Sequence, residues 1–121
     1  MTEIHLAGVI YNSPNPEELA DFYRHLFGIQ FEKRQHGNIR EHIECEFHGI
    51  HFAILKNAQS SSGKNIVLSF AVGNLKSFLD GLQKMDIKPL HPIMDIGAGK
   101  HICSIADPDG NMVRLIQVDQ T

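Results

Sequence analysis

The sequence predicts an α+β fold in which one supersecondary unit occurs twice. Two quartets of apolar residues have the i, i+3, i+4, i+7 spacing that places side chains on one face of a helix. These quartets are Leu19, Phe22, Tyr23 and Leu26, and Leu75, Phe78, Leu79 and Leu82. A short apolar segment precedes each quartet, and extended-looking segments that end in a hairpin follow it. The predicted order is therefore β-α-β-β-β in both halves, with each helix packed on one face of the strands.

The first helix has clear boundaries in the sequence. Asn15 is a favourable N-cap residue, Pro16 suits the first helical position, and Glu18 completes an Asn-x-x-Glu capping box. We expect the helix to run to about Phe27 and to end at Gly28, because glycine adopts the left-handed conformation that stops helices.

The chain of 121 residues is predicted to form a single domain, residues 1–121, with two modules. Residues 57–64 are polar, rich in serine and without periodicity, and they are predicted to link a first module, 1–56, to a second, 65–121. In the second module the helix opens less cleanly, at Asn74. Gly81 weakens its interior by about 1 kcal/mol relative to alanine.

The strand pattern is clearest in residues 40–55, where apolar and ionisable side chains alternate. One face of this predicted hairpin is apolar, and the other is ionisable. The ionisable face carries His42, Glu44, Glu46 and His51. A two-residue turn at His48-Gly49 places Glu46 directly opposite His51.

Composition and charge exclude several classes of protein. A net charge of −3 and an isoelectric point near 6.2 give no electrostatic footprint for nucleic acid. No apolar run is long enough for a membrane span, and the first residues lack the basic-then-apolar pattern of a signal peptide. Cys45 and Cys103 form no Cys-x-x-Cys motif and are expected to be buried thiols. We therefore expect a soluble protein of the reducing cytoplasm.

The repeated unit resembles the vicinal oxygen chelate superfamily, which includes glyoxalase I, extradiol dioxygenases, fosfomycin-resistance proteins and bleomycin-binding proteins. The local resemblance lies in Leu19-Ala-Asp-Phe-Tyr23 with Leu26-Phe-Gly28, and in Asp107-Pro-Asp-Gly-Asn111 before the last strand. It covers essentially the whole chain. The resemblance implies two βαβββ modules that form a curled, cup-like mixed sheet with the helices outside. It also implies a ligand in the cup and a homodimer, since many members of this size build their cups from two subunits.

Metal-dependent members of the family chelate a divalent ion with His and Glu from the first and last strands of each unit. Carried over residue by residue, these positions hold Gly8, Ala53, Asn65 and Arg114. None is a credible ligand, and Arg114 would place a permanent positive charge where the cation belongs. We interpret the inherited metal site as absent and expect no metal and no cofactor.

Two other sets of residues could still bind an ion. His5 lies three residues before Gly8, although its strand parity is wrong for the cup. The ionisable face has two histidines and two glutamates, which suit a divalent ion. A mixed-charge face toward solvent or a wet cup explains the same residues equally well.

A cup without a metal suits a small, partly apolar organic molecule with an anionic or carbonyl group near Arg114. An internal ion pair with Glu44 or Glu46 is the other explanation for this arginine. The residues expected at the ligand are Ile10, Asn12, Glu46, His51, Ala53, Asn65, Val67, Met112, Arg114 and Ile116.

The first functional hypothesis is therefore metal-independent binding of a small molecule whose identity the sequence does not reveal. The alternative is a lyase, isomerase or dioxygenase-type enzyme with a non-standard metal site or an acid–base site on His51 and Glu46. A third hypothesis is a regulatory or structural module with a collapsed cup.

Overall fold

The computed structural model describes residues 6–35, 42–57 and 66–119. The chain separates into two compact units, residues 1–61 and 62–121. Two positions singled out in the sequence, His5 and Asn65, lie outside the described residues, as does most of the predicted linker. Among the described residues, no helix is long and apolar enough to cross a membrane.

The first unit contains one helix and a four-stranded sheet. Its elements are β1 (Gly8–Ser13), α1 (Pro16–Phe27), β2 (Glu32–Arg34), β3 (His42–Phe47) and β4 (Ile50–Lys56). The strands lie in the order β1-β4-β3-β2, with β1 parallel to β4 and the other pairs antiparallel.

The second unit repeats this arrangement. Its elements are β5 (Leu68–Ala71), α2 (Leu75–Gln83), β6 (Met94–Gly97), β7 (Lys100–Ala106) and β8 (Met112–Val118). The strand order is β5-β8-β7-β6, and the first and last strands of the unit, β5 and β8, are again parallel. The predicted α+β class, with two βαβββ modules and mixed sheets, is confirmed.

Helix α1 has the predicted boundaries, but its N-terminus is held differently. Gly28 adopts a φ of 68° and donates its N–H to the carbonyl of Arg24 at 3.0 Å, which ends the helix as expected. The side chain of Asn15 makes no capping hydrogen bond, so the predicted capping box is wrong. Instead, the N–H of Asn15 donates to Ser13 Oγ at 3.1 Å, and this bond stabilises the entry into the helix.

Helix α2 begins more firmly than the sequence suggests. Asn74 Oδ1 accepts a hydrogen bond from the N–H of Ser77 at 2.9 Å. The N–H of Leu75 donates to Gln117 Oε1 at 2.6 Å, so a residue of strand β8 satisfies a second free N–H of the first turn.

Each helix packs its apolar face on its own sheet. Leu19 and Tyr23 of α1 are fully buried, and the Tyr23 ring lies 5.5 Å from that of Phe52 on β4. Leu75 and Leu82 of α2 are buried in the same way in the second unit. The helix covers one face of each sheet and thereby leaves the opposite face for other contacts.

The two hairpin turns follow the predicted chemistry. His48 and Gly49 have φ values of 52° and 79°, which is typical of the two-residue turn whose twist matches a β-hairpin. The register therefore places Glu46 opposite His51, as predicted. In the second unit, the Asp107 carboxylate accepts hydrogen bonds from the N–H of Asp109 at 3.0 Å and the N–H of Asn111 at 2.8 Å.

Candidate functional site

Alternate residues of each strand point away from the helix and form what we call the distal face of the unit. In the first unit, the register aligns Ile10 with Ala53 and Ala53 with Glu44, while Glu46 lies beside His51. The predicted ligand residues of this unit are thus brought to one face. Ile10 is 62% exposed, whereas Ala53 is only 2% exposed and backs the face rather than lining it. Asn12 is exposed at the end of β1.

Glu44 lies at the centre of a polar cluster on this face. Its Oε2 atom is 3.0 Å from Nε2 of His42 and 3.0 Å from Nε2 of His51. The predicted pair is also present, since Nδ1 of His51 lies 3.4 Å from Oε1 of Glu46. The His51–Glu44 contact runs diagonally between neighbouring strands, so a pairing based on directly opposed residues does not reveal it.

The cluster borders a small polar cavity of about 330 Å³. The cavity is lined by Gln30, Glu32, Arg34, Glu44, Cys45, Glu46 and His51. Arg34 forms an ion pair with Glu32 across the short strand β2. Burial, followed by the negative charges of Glu46 and Glu44, raises the pKa of the Cys45 thiol. Sequence reasoning missed Gln30, Glu32 and Arg34 because β2 has only three residues and adjoins a charged segment.

The inherited metal positions do not fit a chelated cation. A Cβ atom added at Gly8 would lie 2.7 Å from the carbonyl oxygen of His51, so this backbone has no room there for a ligating side chain. Ala53 offers only a methyl group, and Arg114 offers only donors. In the part of the chain that the structure describes, no group of three or more His, Cys, Asp or Glu residues is arranged to hold a metal ion.

The distal face of the second unit has one polar row between apolar rows. Ser69 is the register partner of Arg114, and Arg114 is the partner of Ser104, so these three residues cross strands β5, β8 and β7 in line. One neighbouring row consists of Ala71, Ile116 and Ile102, and the other contains Met112 and Ala106. Val67 and Met112 are 41% and 42% exposed, while Ile116 is half-buried.

Arg114 is an exposed cation on this face. Among the residues that the structure describes, none forms an ion pair or hydrogen bond with its side chain. The alternative that this arginine serves an internal ion pair therefore has no support within those residues.

Ser104 has a partner that sequence reasoning did not find. Its Oγ atom lies 3.0 Å from Nε2 of His91, and Nδ1 of His91 lies 2.7 Å from the carbonyl oxygen of Pro92. The segment that carries His91 is fixed to β7, because the N–H of Leu90 donates to the Ser104 carbonyl at 2.8 Å. Cys103 donates its S–H to the carbonyl of His91 at 3.1 Å, and burial raises the pKa of this thiol. The histidine lies in an irregular connection, so neither strand alternation nor a motif indicates the pair.

Comparison with known protein families gives a match over nearly the whole chain. The model of the Glyoxalase/Bleomycin resistance protein/Dioxygenase superfamily matches residues 5–115. The chain therefore belongs to this superfamily, in agreement with the resemblance in its sequence. A search of curated proteins gives no match.

Solved structures share the fold at low sequence identity. A protein from Bacillus anthracis assigned to the glyoxalase family has a TM-score of 0.75 and 17% identity, with 98% of each chain covered. A glyoxalase family protein from Enterococcus faecalis has a TM-score of 0.70 and 21% identity, covering 94% of this chain and 96% of its own. A glyoxalase/bleomycin resistance protein/dioxygenase from Nocardioides has a TM-score of 0.70 and 12% identity, covering 100% and 88%. At these identities the likeness concerns the fold alone.

Proposed function

We propose that this protein binds a small, partly apolar organic molecule without using the family's metal, and that Arg114 holds the anionic group of that molecule. The observation that carries the proposal is an exposed guanidinium without a partner among the described residues, on a face with exposed apolar side chains. Arginine binds carboxylate and phosphate groups through two parallel hydrogen bonds. The apolar side chains of Val67, Met112 and Ile116 supply contact area for the rest of the molecule.

The distal face of the first unit contributes the remaining proposed ligand residues. Ile10 and Asn12 offer an apolar and an amide surface, and His51 and Glu46 offer polar contacts at the cavity. Ala53 supports this surface from beneath. Asn65, the last predicted ligand residue, lies outside the described residues.

Thermal-shift measurements and calorimetry against a panel of small organic acids test the proposal. We expect at least one aliphatic or aromatic acid to raise the melting temperature, and Arg114→Gln to weaken its binding by tenfold or more. Lys76→Gln is the matched control, because Lys76 is an exposed cation on α2. Binding that is equal in both variants would contradict the role of Arg114. The absence of any binder would favour the structural or regulatory module.

Divalent ions form a second arm of the same screen. Since the inherited positions offer no ligand atoms at Gly8, Ala53 and Arg114, we expect no rise in melting temperature with zinc, nickel, manganese or ferrous ions. A stoichiometric ion in the purified protein would contradict metal independence.

An acid–base enzyme is the second candidate, and the contacts of His51 favour it. This histidine lies between Glu44 and Glu46 at a cavity large enough for a small substrate. An imidazole oriented by a carboxylate can accept and return a proton. Under this candidate, His51→Ala abolishes turnover of a bound compound, whereas under the binding function it changes only affinity. His25→Ala is the control, because His25 is exposed on α1.

We also propose that the protein is a homodimer that works in a reducing cytoplasm. Strand β6 supports the dimer, because all four of its residues are exposed at the edge of the sheet. The free thiols of Cys45 and Cys103 support the compartment. Elution as a monomer at micromolar concentration in size-exclusion chromatography would contradict the dimer.

A further inference from the structure

The polar row on the distal face of the second unit points to a more specific ligand. We infer that the ligand is an amphipathic carboxylate with an N–H donor next to the carboxylate, as in an N-acylated hydrophobic amino acid. This inference rests on the proposed function of Arg114 and adds Ser104 as the residue that selects the ligand.

The hydrogen bonds of His91 determine what Ser104 offers. A carbonyl oxygen can only accept, so the contact of 2.7 Å between Nδ1 of His91 and the Pro92 carbonyl requires the proton on Nδ1. In the neutral ring, Nε2 is then an acceptor, and the hydroxyl of Ser104 donates to it at 3.0 Å. The proton of Ser104 is therefore directed to His91, and its oxygen keeps a free lone pair.

The row thus presents a donor beside an acceptor. Arg114 is the register partner of Ser104 on the same face, and its guanidinium carries only donors. A simple carboxylate satisfies the arginine but offers nothing to the Ser104 oxygen. A carboxylate with a neighbouring N–H satisfies both groups. Ser104 is only 3% exposed, so a small group such as an N–H fits at its oxygen and a bulky group does not.

The rows on either side define the rest of the molecule. Ile116 and Ile102 lie on one side of the polar row, and Met112 and Ala106 lie on the other. Aliphatic groups attached to the head of the ligand therefore meet apolar side chains in both directions along the strands.

The experiment compares two compounds at pH 8, above the range in which histidine side chains usually titrate. N-acetyl-L-leucine carries the donor, and (S)-2-acetoxy-4-methylpentanoate has the same charge and nearly the same shape with an ester oxygen in place of the N–H. We expect wild-type protein to bind the amide about tenfold more tightly, as measured by calorimetry. Equal affinities of the two compounds in wild type would overturn the inference without any variant.

Variants separate the roles of the residues. Ser104→Ala should abolish the preference by weakening the amide alone, and Arg114→Gln should weaken both compounds by similar factors. His91→Gln keeps an acceptor for the serine hydroxyl and should keep the preference, whereas His91→Leu should lose it. This rescue distinguishes the positioning of Ser104 from a merely structural role of His91. A preference that survives in Ser104→Ala contradicts the inference.

The two levels of the argument fail differently. If both compounds bind equally and depend on Arg114, anion binding stands and the role of Ser104 is wrong. If neither compound binds while other acids bind through Arg114, the ligand class is wrong. If no acid binds through Arg114, the proposed function itself is wrong.

Discussion

Gly8 and His51 face each other across the parallel pair β1–β4, and their backbones approach so closely that a Cβ atom at position 8 would lie 2.7 Å from the His51 carbonyl oxygen. This approach removes the space that a ligating side chain on the first strand requires. The loss of the metal position is thus built into the backbone as well as into the choice of residue.

Gly8→Ala should destabilise the protein because one strand must move to relieve the contact. We expect the free energy of unfolding to fall by about 1–3 kcal/mol, as measured by urea denaturation. Gly81→Ala is the matched control. A Cβ atom at Gly81 meets nothing within 4 Å, and alanine favours the helix, so this variant should gain about 0.5–1 kcal/mol. A stabilising effect of Gly8→Ala would contradict the described backbone.

Asp107 is the second point at which a single substitution should be costly. Besides the N–H groups of Asp109 and Asn111, its carboxylate accepts a bond from Nδ2 of Asn111 at 2.9 Å, and the residue is buried. Asp107→Ala should lower the free energy of unfolding by about 2–3 kcal/mol, since it leaves buried donors without their acceptor. Asp107→Asn keeps an oxygen for the backbone donors and should cost less. Equal losses in thermal unfolding would show that the hydrogen bonds do not stabilise the turn.

Gln117 should contribute to the stability of a helix that lies far from it in sequence. Its Oε1 accepts the N–H of Leu75, whereas Asn74 accepts the N–H of Ser77 in the same turn. Gln117→Leu should therefore lower the free energy of unfolding by about 1 kcal/mol, much like Asn74→Ala. Gln83→Leu, at an exposed position of the same helix, serves as the control and should have little effect. Helix-resolved hydrogen exchange would show whether the loss is local to α2.

The two thiols should react slowly in the folded protein. Burial raises the pKa of Cys103 and Cys45 above 9.0, and the carboxylates of Glu46 and Glu44 raise that of Cys45 further. The thiolate is the reactive form, so alkylation by iodoacetamide at pH 8 should be slower than in urea and should accelerate above pH 9.

The same shifts have a consequence for stability. A raised pKa means that the folded state holds the thiol proton more tightly, so the contribution of these thiols is full below pH 9 and is lost as the pH rises through the folded pKa. Mass spectrometry of each cysteine after timed alkylation measures the effect. Equal rates of alkylation in folded and unfolded protein would contradict it.

Local chemistry made much of the fold predictable. The alternation in residues 42–55 and the turn at His48-Gly49 were sufficient for the register of the β3–β4 hairpin, and Gly28 marked the end of α1. The capping box at Asn15 failed because Ser13, two residues earlier, offers a competing hydrogen bond.

The site was less predictable because its side-chain partnerships depend on distant elements. The alternation indicated correctly that His51 and Glu46 share a face, but not that Glu44 reaches His51 diagonally. Ser104 and His91 are thirteen residues apart, and one of them lies in an irregular segment whose path no periodic pattern describes. Such pairs follow from the placement of the connections, which sequence periodicity does not constrain.

The alternation of side chains along each strand has a final consequence for how such a protein changes over generations. Positions that pack against a helix and positions that meet a ligand are separate sets, interleaved on the same strands. Replacing Arg114 or Met112 alters recognition while Leu115 and Val113, fully buried beside them, keep the interior intact. The scaffold can therefore explore new ligand chemistry without risking its own integrity, and its two halves are free to diverge in specificity while sharing one topology.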